Sequence, residues 1–302
     1  MKFTIAQDIR IGARPYQQDR VGHWSTSESL MLVIADGMGG HQHGEIAAQT
    51  ALEYFAGEFK REAKPKIKDP DLFLFRGLAR AHSAILQQAR RFGWSEAPRT
   101  VIVVCVVQDG RAYWTHIGDS RLYLIRAGRV VTRTKDHSRV QQLVDEGRIR
   151  EEAIPSHPER NLLFQCLGGD KPPKLEPAAG ARLAKNDLLL MCSDGLWGPL
   201  SPHQLLNMLL TKPPARAVPD LAALAETRAG ADCDNISLLL MQWGEEAATA
   251  AKEQNTIPFH DLPASQQAAD TPDLDYMNMT DADIERSIAQ IKAALRKQTG
   301  NP

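Results

Sequence analysis

Leu30-Met31-Leu32-Val33-Ile34-Ala35-Asp36-Gly37-Met38-Gly39-Gly40 is the stretch that decides the fold. Six apolar residues in unbroken succession fit a strand covered on both faces. The run then stops at a carboxylate and glycines. The design recurs: Leu188-Leu189-Leu190-Met191-Cys192-Ser193 leads into Asp194-Gly195, and Asp234-Asn235 opens the apolar run Ile236 to Met241. Asp119 follows Tyr113-Trp114-Thr115-His116-Ile117-Gly118. A carboxylate beside a core costs on the order of several kcal/mol unless it is paired. No matching set of lysines or arginines accompanies these acids. Any one Asp-Gly pair alone reads as a turn. Together, at the ends of buried-type strands, they read better as ligands of a shared divalent cation.

The runs themselves are expected as strands at Leu30–Ala35, Leu188–Cys192 and Ile236–Trp243, and outward from them further strands are expected at Phe3–Ile9, Arg20–Trp24, Val101–Gln108, Ala112–Ile117 and Arg121–Arg126. Arg126-Ala127-Gly128-Arg129 fits a hairpin turn. Ala47, Ala51, Tyr54, Phe55 and Phe59 recur at helical spacing after Gly44. Other helices are expected at Leu72–Gln88, Ser138–Glu146 (closed by Gly147), Pro202–Leu210 and Pro219–Thr227. Consecutive strands that could form hairpins exclude a simple βαβ array. They favour an α+β layered domain, packed sheets with helices outside.

The bulk composition is that of a globular protein, 43% apolar over 302 residues. A net charge of −1 gives no reason to expect a nucleic-acid partner. No run approaches the ~18 apolar residues of a membrane span. The first residues lack the apolar stretch of a signal peptide, so a cytoplasmic protein without a membrane partner is expected. The four cysteines show no zinc spacing, although Cys233 adjoins Asp234 and is a minor candidate ligand. Composition changes after residue 244. Residues 245–302 hold ten acidic and five basic residues. A linker is expected over 245–279, followed by an amphipathic helix over 280–298 with Ile284, Ile288, Ile291 and Leu295 on one stripe.

An all-oxygen ligand set suits Mg²⁺ or Mn²⁺ better than Zn²⁺. Gly37 lets backbone pass close to an ion and could offer its carbonyl. Two ions ~4 Å apart can activate water and stabilise charge on a transferring phosphoryl group.

The residues also resemble a family. Asp36-Gly37-Met38-Gly39-Gly40-His41, with Gly44-Glu45, resembles the first metal-binding motif of the bacterial metal-dependent serine/threonine protein phosphatases, the PPM or type 2C family. Arg14-Pro15-Tyr16-Gln17-Gln18-Asp19 resembles the motif that precedes it, and Ile117-Gly118-Asp119-Ser120-Arg121 the central one. Asp136-His137-Ser138 and Asn161-Leu162-Leu163 flank a segment similar to the family's flap. Cys192-Ser193-Asp194-Gly195-Leu196-Trp197 and Asp234-Asn235-Ile236-Ser237 resemble the last two motifs. The ordered set covers residues 1–244, expected as the catalytic domain.

The resemblance implies an αββα sandwich of two antiparallel sheets flanked by helices. It implies that Asp36 bridges two Mn²⁺ or Mg²⁺ ions and Gly37 lends its carbonyl. Asp194 and Asp234 then bind one ion, Asp19 supports the second, largely through water, and Asp119 helps hold a third, looser ion. Arg14 matches the arginine that grips the substrate phosphate. The implied reaction is hydrolysis of phosphoserine or phosphothreonine by a metal-bridging hydroxide. The implied partners are phosphorylated proteins, including a bacterial serine/threonine kinase, and a monomer is expected.

Departures from the family pattern are visible. Gln17 and Gln18 stand where the family commonly has asparagine and, in some members, glutamate. Ala97-Pro98-Arg99-Thr100 keeps one threonine of a Gly-Thr-Thr segment. Met38 occupies the place of a histidine proposed as general acid in eukaryotic members, and a thioether has no proton to give. Two other readings compete: a phosphate-sensing binding module on the same fold, and a small-molecule phosphohydrolase.

Overall fold

The computed structural model describes residues 1–39, 43–169 and 171–244. His41, the linker over 245–279 and the helix over 280–298 lie outside the described residues. Three elements open the chain, β1 (Phe3–Arg10), β2 (Arg20–Ser25) and β3 (Ser29–Gly37), followed by α1 (Gly44–Glu62) and α2 (Pro70–Phe92). A run of strands comes next: β4 (Arg99–Gln108), β5 (Arg111–Ile117), β6 (Arg121–Arg126) and β7 (Arg129–Arg133). Then come α3 (Arg139–Asp145), β8 (Leu167–Gly168), β9 (Ala179–Arg182), β10 (Leu188–Cys192), α4 (Asp194–Trp197), α5 (Pro202–Thr211), α6 (Pro214–Ala229) and β11 (Ile236–Trp243).

The strands form two antiparallel sheets. One has the order β1-β11-β10-β6-β7; the other runs β2-β3-β4-β5-β9, with β8 paired to the start of β4. Alternation along each strand explains the continuous apolar runs. In β3, Leu30, Leu32 and Ile34 pack toward the other sheet, against Leu122, Leu189, Met191 and Leu239. Met31, Val33 and Ala35 pack the opposite way, onto Phe55 and Phe59 of α1 and Leu74 and Leu78 of α2. In β10, Leu189 and Met191 join the layer between the sheets, while Leu188, Leu190 and Cys192 meet Leu221, Ala222 and Ala225 of α6. Three apolar layers result, helix–sheet, sheet–sheet and sheet–helix, so the expected αββα sandwich is the observed fold.

Register brings the motif-bearing ends together. Asp36 pairs with Val101 at the start of β4, and Ile102 pairs with Ile117 at the end of β5. In the other sheet Cys192, the last residue of β10, lies between Leu238 and Arg121. The carboxylates that follow these strand ends therefore collect at one end of the sandwich.

Several boundaries move for local reasons. α2 starts at Pro70 because Asp69 caps it, accepting from the Leu72 N–H at 3.0 Å, and it continues to Gly93, a left-handed C-cap. α6 begins at Pro214, five residues before Pro219. Burial of Ala217, Val218, Leu221, Ala222 and Ala225 outweighs the hydrogen bond lost at Pro219. β7 and β9 are largely exposed edge strands without an apolar pattern, which is why the sequence reading passes over them.

Candidate metal and phosphate site

Each site residue is set by a local device. Thr100 Oγ1 donates to the Asp36 carbonyl at 2.7 Å, so the retained threonine anchors the end of β3. Gly37 is required by close approach, since a Cβ there would lie 2.5 Å from the Gly44 backbone. Asp194 is the first residue of α4 and not a strand residue; the chain turns into a helix directly after β10. Asp119 sits between β5 and β6, where Trp197 Nε1 donates to its carbonyl at 3.0 Å. The Arg121 guanidinium lies 3.5 Å over the Trp197 ring and makes a bidentate pair with Asp136, at 2.9 and 2.7 Å.

Asp234 precedes β11, and its neighbour Asn235 holds the loop that carries Arg14. Asn235 Oδ1 accepts from the Gln18 N–H at 2.7 Å, while Nδ2 donates to the Ile11 and Tyr16 carbonyls at 2.8 and 3.2 Å. Gly12, with φ of 61°, presses against the Asp234 carbonyl where a Cβ would sit 2.3 Å away. Gln17 is a brace: Oε1 accepts from the Asp19 N–H at 2.8 Å and Nε2 donates to the Arg10 carbonyl at 2.7 Å. Gln18 Nε2 donates to Glu45 Oε2 at 3.4 Å.

Asp36, Asp119, Asp194 and Asp234 line one pocket of about 290 Å³, with Arg14 and Gly37 in its wall. Arg14 Nη2 donates to Asp234 Oδ2 at 2.7 Å. That bond, against the desolvation of the guanidinium, holds its pKa above the ordinary arginine value. Asp19 lies beneath, 1% exposed, with both carboxylate oxygens buried and without a hydrogen-bond partner.

Burial raises the pKa of four of these carboxyl groups, Asp19, Asp36, Asp119 and Asp194. Burial, with the Asp194 charge adding to it, pushes Asp19 up to about 7. The Ser237 and Ser193 hydroxyls temper this without completing a hydrogen bond of normal geometry. Asp194 is pushed up to about 6, by burial and then by Asp234, with Arg160 and Arg14 opposing. Asp36 is raised by burial and by Asp19 and Asp194. Asp119 is raised by burial, then by Asp194 and Asp136.

No three His, Cys, Asp or Glu side chains among the described residues close on one point as a ready cage. Mutual repulsion of like charges, and the hold of Arg14 on Asp234, are consistent with that open spacing. The donor chemistry nevertheless fits a hard divalent cation. Hard oxygen donors surround the pocket, and the buried carboxylate oxygens of Asp19 accept no hydrogen bond, since the neighbouring Arg20 guanidinium is spent on the Asp19 and Gln17 carbonyls and on Gln49.

The site has members that sequence reasoning left without a role. Met38, Val101, Asn161 and Leu163 line the pocket. Asn161 and Leu163 stand in a recognisable segment, but nothing in their spacing marks them as pocket residues; Val101 is an ordinary apolar strand residue. Cys233 does not join them. Its side chain packs in the layer between sheet and helices, with Sγ 3.4 Å from the Asp234 carbonyl, and does not line the pocket.

The profile of the protein phosphatase 2C family matches residues 10–232. The chain belongs to this family. A protein phosphatase 2C-type protein of Streptococcus pyogenes is 32% identical over 244 residues, covering 80% of this chain and 97% of that one. The serine/threonine protein phosphatase PstP of Mycobacterium tuberculosis is 36% identical over 203 residues, which are 67% of this chain and 38% of PstP. The solved catalytic domain of a serine/threonine protein phosphatase PstP, in complex with two manganese ions, superposes with a TM-score of 0.68 at 31% identity, covering 80% of this chain and 97% of that domain.

Proposed function

We propose that this chain is a metal-dependent protein serine/threonine phosphatase that hydrolyses phosphoserine and phosphothreonine, with residues 1–244 as its catalytic unit. The observation that carries the reading is the convergence of Asp36, Asp119, Asp194, Asp234 and Arg14 on one pocket from five separate segments. Asp36, the Gly37 carbonyl, Asp194 and Asp234 would hold two Mn²⁺ or Mg²⁺ ions. Asp19 would support the second and Asp119 a third, looser one. Such ions, when bound, generate a nucleophile from water at neutral pH and offset charge on the phosphoryl group.

The chain's own residues do the rest. Arg14 carries five N–H donors, one of them on Asp234, leaving others to clamp two phosphate oxygens. Asn235 and Gln17 keep the Arg14 loop in place. Met38 in the wall has no proton to give, so the leaving serine or threonine oxygen is protonated by another group. Gly244 N–H donates to the Lys2 carbonyl at 2.8 Å just past β11, which supports a domain end there.

Phosphorylated proteins are the substrate class, and a bacterial serine/threonine kinase is the enzyme whose work this activity would reverse. Among the described residues no helix is long and apolar enough to cross a membrane. Action as a monomer in the cytoplasm completes the reading. Turnover of p-nitrophenyl phosphate and of a phosphothreonine peptide, with Mn²⁺ and with EDTA, tests it. Hydrolysis of both that EDTA abolishes and Mn²⁺ restores is the expected result. A folded protein that binds phosphate without turning over either compound would instead be the binding module. Turnover of the small ester alone would favour the small-molecule phosphohydrolase.

A further inference from the structure

The catalytic pocket opens sideways into a second cavity of about 320 Å³, which shares Arg14, Asp119, Asp194 and Asp234 with it. The outer wall of this cavity joins two distant segments. Pro155 and Arg160 come from the stretch between α3 and β8, and Arg228 and Asp232 from the last turn of α6 and the turn after it. Trp197, the last residue of α4, and Pro199 beyond it also line the cavity.

Two cations line this outer wall. Arg160 Nη1 donates to the Pro155 carbonyl at 2.8 Å, a bond that anchors the side chain; the carboxylate its charge acts on is Asp194, one of the acids shared with the catalytic pocket. Arg228 is exposed. Neither makes an ion pair with a described residue, unlike Arg10, Arg14, Arg61, Arg76, Arg121 and Arg126. Asp232 is the one carboxylate in the outer wall; it is exposed and pairs with neither arginine among the described residues. The remaining acids of this cavity are the three it shares with the catalytic pocket, where bound cations would offset them. The outer part therefore presents two guanidinium groups against one carboxylate.

We propose that this cavity is a specificity subsite for an anionic side chain, a carboxylate or a second phosphoryl group, on a residue flanking the phosphoserine or phosphothreonine, with Arg228 and Arg160 as its readers. The inference rests on the phosphatase reading. An extended peptide advances ~3.3–3.6 Å per residue, so a group one to three residues from the phosphorylated one falls in an adjoining cavity of this size. Guanidinium is the group suited to a planar carboxylate or a phosphate. Because the arginines are exposed, the discrimination should be moderate.

The test uses the full chain with Mn²⁺ and phosphothreonine peptides that differ only at the residues within three of the phosphothreonine: glutamate, phosphoserine as its non-hydrolysable phosphonate, glutamine or lysine. For wild type, kcat/KM for the glutamate and phosphoserine peptides at the best position should exceed that for the glutamine peptide ~3–10-fold, the range expected for exposed charge-assisted contacts. The two anionic arms show whether carboxylate or phosphate is preferred. Arg228→Gln, and Arg160→Gln with it, should bring the ratio toward one. Arg228→Glu should turn the preference toward lysine. A loss of folding or of general activity lowers all peptides alike and leaves the ratio in place, so the ratio isolates the subsite. Equal kcat/KM across the peptides in wild type, or an unchanged ratio in the double variant, overturns the inference and leaves the phosphatase reading intact. No hydrolysis of any peptide overturns both.

Discussion

Asp136 and Asp19 are both buried carboxylates, 5% and 1% exposed, yet they are treated in opposite ways. Asp136 receives both arms of the Arg121 guanidinium, and the pair is sealed by Trp197, whose indole also holds the Asp119 backbone. Asp187, equally buried, has Arg126 in the same bidentate arrangement, at 2.9 and 2.7 Å. The Asp19 carboxylate accepts no hydrogen bond, and Asp36 and Asp194, with raised pKa values of their own, act on it. Where a buried carboxylate is structural, the fold supplies its counter-charge. Where the fold withholds one, the carboxylate is kept for something that arrives from outside.

Breaking the satisfied region should have the largest effect on stability. Arg121→Met takes the bidentate partner from buried Asp136, leaving it only Arg133 at 3.8 Å, and should destabilise by ~3–5 kcal/mol in urea unfolding. Arg121→Met with Asp136→Leu should recover most of that loss. If the single variant is as stable as wild type, the two classes of buried carboxylate do not differ as described.

The unsatisfied region should respond in activity first. Asp36→Asn, Asp194→Asn and Asp234→Asn should each lower kcat at least ~100-fold with Mn²⁺, with the fold retained by circular dichroism. Near-normal turnover in any of them would remove that residue from the metal set. EDTA should abolish activity, and Mn²⁺ or Mg²⁺ restore it.

Arg14 bridges the two classes, being a cation paired with a site carboxylate. Arg14→Ala should lower kcat/KM about tenfold or more through the lost phosphate clamp. Calorimetric Mn²⁺ affinity should stay equal or rise, because Asp234 is freed. A marked fall in Mn²⁺ affinity with KM unchanged would place Arg14 in the metal site.

A smaller effect follows from the pH linkage of Asp19 in EDTA-treated protein. Its folded pKa, pushed up to about 7, lies above the unfolded value. The folded state therefore retains a proton that the unfolded chain releases above about pH 4. The stability this contributes is present below pH 4 and is lost as pH rises through 7. Asp19→Asn should raise the Tm of metal-free protein by about a few degrees at pH 8 and little at pH 5. An equal shift at both pH values would show that titration of Asp19 is not the cause. The smallest change is expected from ending the chain at Gly244, which should leave p-nitrophenyl phosphate turnover within a few-fold of the full chain. A soluble, folded and inactive truncation would move the domain boundary.

Much of this was legible in the residues. β6, β10 and β11 have the bounds their apolar runs imply, because strands buried on both faces leave a continuous signal. Asp36, Asp119, Asp194 and Asp234 were visible because a carboxylate ending such a run is costly without a purpose. β7 and β9 were hidden, since an exposed edge strand needs no apolar pattern. α6 was shortened in the reading because Pro219 is a strong local signal that packing overrides.

What the chain order alone decided was the repertoire: strand after strand ending in an acid, an arginine ahead of them, and a family pattern linking them. The rest needed three dimensions. Only folding stacks Leu32 on Leu189 and Met191, and so brings acids more than a hundred residues apart to one end of two sheets. Only folding turns the Arg121 guanidinium onto the Asp136 carboxylate and leaves that of Asp19 without a hydrogen bond, and only folding brings Arg160 and Arg228 to one cavity. Local spacing reports which face a side chain takes, whereas the field it meets is made by residues from elsewhere in the chain. Charge pairing is thus a property of the packed whole.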